Sequence, residues 1–291
     1  MRGRGTPLEV QGALVLAAVL IGFNFVAIKV AVVSIPPLLV GALRFTLGGL
    51  LLLAFLQWMR QGGKPTRRFF LTTLGIGLIG GTLYNVALNE GTSMTSASSA
   101  ALIMATAPVW GMLFAAAFGV EPLRAMNVIG ALVSLLGVVL LLGKGIEGGG
   151  SSLLGDLLVL AASLCFAAYI VLSRVQHSHY PPMAIAAYTI FLGGLAIFPF
   201  APLELASWEW ESVSAVAWLA VAYMAIVSTA LGYGVWHWGI SRIGADRVLG
   251  YQYLITLTAV VASVVLLHEG FGLAKVLGAV VLLAGVYLAH R

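Results

Sequence analysis

Charge is what this sequence has least of: Asp, Glu, Lys and Arg together make up 9% of its residues, against about 25% in an average soluble domain. So few charges cannot cover a water-facing surface. An ordinary soluble protein is therefore excluded, although 291 residues would suffice for two soluble domains. Cysteine is nearly absent too. Cys165 stands alone, which rules out an internal disulfide and a thiolate metal centre; it lies in an apolar run and reads as packing. No H-E-x-x-H helix, Ser/His/Asp set or metal-ligand cluster appears, and no cofactor is implied. Gly148–Gly150 lacks the Lys-Ser/Thr ending of a phosphate-binding loop and reads as a flexible linker. His177 and His179 fall in a loop and His268 at a span end. A membrane-embedded enzyme would need convergent acids, bases or ligands.

What is abundant is apolar surface, at 61% of residues. A helix needs about 20 mostly apolar residues to cross the hydrocarbon, and ten runs answer that description. They are Val10–Val33, Leu38–Trp58, Phe69–Leu88, Ser96–Phe118, Ala125–Leu142, Leu153–Ser173, Met183–Pro202, Val213–Trp238, Arg247–Leu267 and Leu273–Leu288. The start, Met1–Glu9, is basic through Arg2 and Arg4, but no small-residue cleavage site stands out before Pro36, so the first run is read as a retained helix. The expected fold is an all-α integral membrane protein of ten transmembrane helices.

The formal net charge of +5 could suit nucleic acid. Here, however, the Lys and Arg residues sit between apolar runs, as membrane anchors do, so the lipid bilayer is the partner. One set of alternate loops holds Arg2, Arg4, Arg60, Lys64, Arg67, Arg68, Arg124, Arg174, Arg242, Arg247 and Arg291; the other holds Lys144 and Lys275. Eleven against two places both termini in the cytoplasm. The outer loop between the seventh and eighth runs carries Glu204, Glu209 and Glu211.

The chain also repeats itself. At an offset of 148, Gly91 falls on Gly239, Glu121 on Glu269, Gly130 on Gly278 and Gly137 on Gly285. At an offset of 145, Lys29 falls on Arg174, Pro36-Pro37 on Pro181-Pro182 and Gly48-Gly49 on Gly193-Gly194. Five spans per unit is odd, so the second unit enters from the opposite face. The reading is two inverted five-helix repeats, residues 8–143 and 153–290, joined by a Gly-rich linker at 144–152. Such repeats commonly hold a solute site at their interface.

These residues carry a family resemblance. Gly22–Lys29 (GFNFVAIK), Pro37–Phe45 (PLLVGALRF), and Ala107–Trp110 followed by Glu121 and Gly130 supply it in the first half. Gly155-Asp156, Phe166–Arg174 (FAAYIVLSR), and Glu269 followed by Gly278 and Gly285 supply it in the second. The chain resembles the drug/metabolite transporter superfamily, specifically its EamA-type ten-helix members, and is similar to the YddG-type amino-acid exporters among them. The resemblance implies export of amino acids or related metabolites across the inner membrane of a bacterium. Two departures are visible. Ile21 and Phe166 stand where Trp is frequent, and Thr256 stands opposite Pro108 where a second Pro is expected.

Polar groups within spans are expected to face the bundle interior. Candidate cavity residues are Asn24 with its repeat mate Tyr169, Tyr84 and Asn85, Met104 and Trp110, Tyr233 and Trp236, and Tyr251, Gln252 and Tyr253. Each has a structural counter-reading, since aromatics pack and short polar side chains bond their own helix. Pro108 cannot donate to the Met104 carbonyl, which marks Met104 out. Lys29, Arg44, Glu90 and His237 are candidates for a gate or a structural charge, with Glu90 expected to pair with Lys29 or Arg44. Amides, aromatics and Met favour a neutral or zwitterionic solute moved by a facilitative carrier. Proton-coupled drug or metabolite efflux wants a carboxylate at membrane depth, and a sugar-phosphate exchanger wants a basic cavity. No oligomeric partner is implied, and a monomer accommodates these features.

Overall fold

The structure is a computed structural model that describes residues 7–59, 65–120, 122, 124–145, 152–176, 179–205, 208, 213–243, 248, 251–270 and 272–289. Arg2, Arg4, Arg60, Lys64, Glu121, Gly148–Gly150, His177, Glu209, Glu211, Asp246, Arg247 and Arg291 lie outside the described residues. Among the described residues every regular element is helical: α1 Pro7–Gly22, α2 Asn24–Ala31, α3 Pro37–Trp58, α4 Arg67–Gly77, α5 Tyr84–Met94, α6 Ala97–Met104, α7 Ala107–Ala117, α8 Ala125–Gly145, α9 Leu153–Gln176, α10 Pro182–Leu195, α11 Pro202–Leu205, α12 Ala215–Tyr223, α13 Gly232–Ile243, α14 Gln252–Leu266 and α15 Leu273–Ala289.

Seven helical stretches are long and apolar enough to cross a membrane, and three shorter apolar helices, Ala125–Leu141, Gln252–Leu266 and Lys275–Ala289, accompany them. Local sequence explains their limits. Thr66, Ser96 and Ser214 cap α4, α6 and α12 by accepting the N–H three residues on. Pro36-Pro37 and Pro181-Pro182 start α3 and α10, where the missing N–H has no cost. Between α6 and α7 the helix breaks ahead of Pro108, whereas α14, with Thr256 in the corresponding place, runs unbroken.

Among the boundaries that differ from the expectation, two have a local cause. The third span is longer, Arg67–Met94, because a π-helical segment, Leu78–Leu83, joins α4 to α5; a second, Met224–Leu231, joins α12 to α13. The seventh span leaves its α-helix at Leu195 rather than Pro202, turning through a 3₁₀ segment, Phe198–Phe200, into α11.

Glycine lets backbones touch. A Cβ on Gly48 would strike Thr229 and the Ala225 carbonyl, and one on Gly193 would strike Gly81 and the Gly77 carbonyl. Likewise Gly49 meets Phe191 while Gly194 meets Thr46, and Gly130 meets Ala289 while Gly278 meets Leu141. Each contact has its counterpart at the offsets of 145 and 148. Between the helices lies a dense interior, with Ile28, Phe45, Leu88, Ile185 and Met224 fully buried. Leu51, Leu132, Leu219 and Leu257 face outward.

Candidate functional site

The polar heart of the bundle forms where α3 crosses the second π segment. Arg44, on the second turn of α3, is buried at 3% exposure. Its Nη1 donates to Asn24 Oδ1 at 3.4 Å and approaches Met224 Sδ at 3.9 Å. The guanidinium lies 4.9 Å from the Phe45 ring centroid and beside the Tyr84 phenol. Tyr233 packs against the core that includes Phe45 and Tyr84. Tyr84 stands 5.3 Å from Phe166, which stacks on Tyr169 at 6.0 Å. In the other half the position of Arg44 is taken by Thr189, which donates to the Ile185 and Ala186 carbonyls. So Asn24, Arg44 and Tyr84 meet, Phe166 links Tyr84 to Tyr169, and Tyr233 packs against the same core.

Lys29 has a different role. Its Nζ donates to the carbonyls of Thr92, Ser93 and Thr95 at 3.0, 3.1 and 2.6 Å. The loop it holds is a hub. Thr95 Oγ1 donates to Asp156 Oδ1 at 2.5 Å. The Glu269 carboxylate accepts the Ala97 and Ser98 N–H groups at 2.6 and 3.0 Å. Lys275 Nζ donates to the Ser96 and Ser98 hydroxyls at 3.0 and 3.2 Å. Residues 92–98 thus bind α2, α9 and the α14–α15 turn together. Ser96, Ser98 and Asp156 carried no sequence signal for this beyond being polar within apolar runs.

Glu90 pairs with neither of its expected cations here. Its carboxyl lies beside that of Glu204, whose Oε2 accepts the Leu38 N–H at 2.9 Å. Glu204 lies outside the spans, and burial, with the Glu90 carboxyl beside it, pushes it up to about 7. The reason is the early end of α10: the chain turns back through α11 and delivers Glu204 to the start of α3.

The remaining candidates disperse. Asn85 is fully buried, and its Nδ2 donates to the Gly81 carbonyl inside the first π segment at 2.8 Å. Trp110 Nε1 donates to Thr106 Oγ1 at 3.1 Å, and Thr106 meets Ser163 at 3.0 Å, tying α7 to α9. Met104 is buried in the main core. Trp236 and Tyr251 pack with Val10, Leu14 and Val248, and Tyr253 packs against the cluster that includes Leu102, Ala105 and Val109. His237 stacks on Tyr233 at 6.3 Å, its Nδ1 2.9 Å from the Tyr233 carbonyl. Gln252 is half-buried at the first turn of α14. Among the described residues no group of three His, Cys, Asp or Glu side chains could hold a metal.

The sequence profile of the EamA-like transporter family matches residues 11–143 and again 153–291. The chain is 25% identical over 278 residues to an "uncharacterized transporter" of Archaeoglobus fulgidus, covering 96% of this chain and 97% of that one. It is 27% identical over 288 residues to a "probable amino-acid metabolite efflux pump" of Escherichia coli K12, covering 96% and 94%. A solved crystal structure superposes with a TM-score of 0.64 at 25% identity, covering 96% of each chain.

Proposed function

Since the chain belongs to the EamA-like transporter family, and so is a membrane transporter rather than an enzyme, we propose that it carries amino acids or related small metabolites outward across a bacterial inner membrane. The carrier is facilitative and works by alternating access between two inverted five-helix halves, residues 8–143 and 153–290, with both termini cytoplasmic. The observation that carries this reading is the cluster of buried Asn24, Arg44, Tyr84 and Tyr169 with half-buried Tyr233, to which both halves contribute. A polar, aromatic-walled centre suits a solute with one charged end and an apolar body. The paired glycine contacts and the double profile match support the repeat. The name of the Escherichia coli relative supports the solute class.

The test is counterflow of labelled L-amino acids in proteoliposomes of the purified protein, with and without imposed ion gradients. Exchange without a gradient is expected. Uptake that requires a pH gradient and vanishes in His237→Ala would replace facilitation by proton coupling.

A further inference from the structure

We infer that the Arg44 guanidinium is a binding site for the carboxylate of an organic anion or zwitterion, and the inference rests on the transporter reading above. Among the described residues, the neighbours of this side chain are neutral: an amide oxygen, a thioether, a phenol and a phenyl ring. The amide contact is long at 3.4 Å. Buried Nε has no hydrogen-bond partner, although a guanidinium presents five donors in a fixed fork. Among the described residues no carboxylate stands against it. An unneutralised cation at membrane depth is expensive and usually functional.

Two structural explanations fail on geometry. Arg44 lies about 10 Å along α3 from its first residue, and at 3% exposure it does not snorkel to a surface. The fold itself does not require a cation there either. The corresponding Thr189 fills the same place in the other half, satisfied by the Ile185 and Ala186 carbonyls. A carboxylate would take the unpartnered Nε edge, pairing with Nε and Nη2 in the bidentate geometry that Arg favours and leaving the Nη1 contact to Asn24 in place. Tyr84, Phe166 and Tyr169 would then wall an apolar body. The site therefore selects a monocarboxylate over its uncharged amide.

The experiment measures binding of 3-phenylpropanoate and 3-phenylpropanamide to the purified full chain in nanodiscs by calorimetry, alongside amino-acid counterflow. The wild type should bind the acid at least tenfold more tightly than the amide. Arg44→Gln should remove the preference, and Arg44→Lys should keep it at lower affinity. Asn24→Asp, nearly isosteric, supplies an internal counter-ion and should also abolish it, which serves where Arg44→Gln fails to fold. No acid-dependent binding in the wild type, or a preference retained in Arg44→Gln or Asn24→Asp, overturns the site. Acid preference without amino-acid counterflow sinks the proposed function and leaves the site. Counterflow unchanged in Arg44→Gln does the reverse.

Discussion

The Glu269 carboxylate accepts the Ala97 N–H at 2.6 Å from 172 residues further along the chain, and so serves as the distant N-cap of α6. It satisfies helix-end donors and opposes the positive end of the helix. Glu269→Ala should lower stability by about 1–2 kcal/mol, the range for losing a cap, and Glu269→Gln by less. Thermal unfolding in detergent reads both; an unchanged midpoint in Glu269→Ala would show that the Ser96 cap suffices alone.

Glu204 links stability to pH. Its ordinary value is 4.5 and the folded value about 7, so between these the folded chain binds more protons than the unfolded one. Its contribution is full below about 4.5, declines as pH rises, and is gone above about 7. The melting temperature should fall over that window for this group, with a flatter profile in Glu204→Gln. A profile unaltered by the substitution would place the titration elsewhere.

Glycine packing can be tested against a built-in control. A Cβ on Gly130 would sit 2.5 Å from the Ala289 Cα, and one on Gly285 2.6 Å from Ser134 Oγ, whereas Gly111 has nothing within 4 Å. Gly130→Ala and Gly285→Ala should destabilise by about 1–3 kcal/mol as overpacking. Gly111→Ala should be neutral or stabilise by up to about 1 kcal/mol. Midpoints that fail to separate the two classes would mean the α8–α15 contact yields easily.

Asn85 and Gln252 should part company. Asn85 is fully buried against the Gly81 carbonyl, so Asn85→Ala should lower the melting temperature along with transport. Gln252 is half-buried, and Gln252→Ala should reduce transport several-fold at an unchanged midpoint. Full transport in Gln252→Ala would remove it from the cavity.

The spans were legible because run length and apolarity suffice to mark them, as at Leu153–Gln176. The interruptions were not. Gly22 and Gly77 precede Phe23 and Leu78, but among 35 glycines they do not single out a break, and the π segments arise where helices pack at glycine contacts such as Gly77 and Gly81 on Thr189 and Gly193. Arg44 stood out as a charge in an apolar run, yet its neighbours Asn24 and Met224 come together only through packing between helices. Glu90 was assigned by sign, opposite to opposite. Its actual neighbour, Glu204, depends on a helix ending seven residues before the sequence suggested.

The π segments at Leu78–Leu83 and Met224–Leu231 have a mechanical consequence. Each is a spare residue stored in an otherwise stiff rod. Passing that residue along the rod turns the stretch it crosses by about 100° around the axis, while the ladder re-forms behind it. Tyr84 follows one store directly and Tyr233 follows the other by a single residue, so these two phenols are mounted at the ends of a pair of screws.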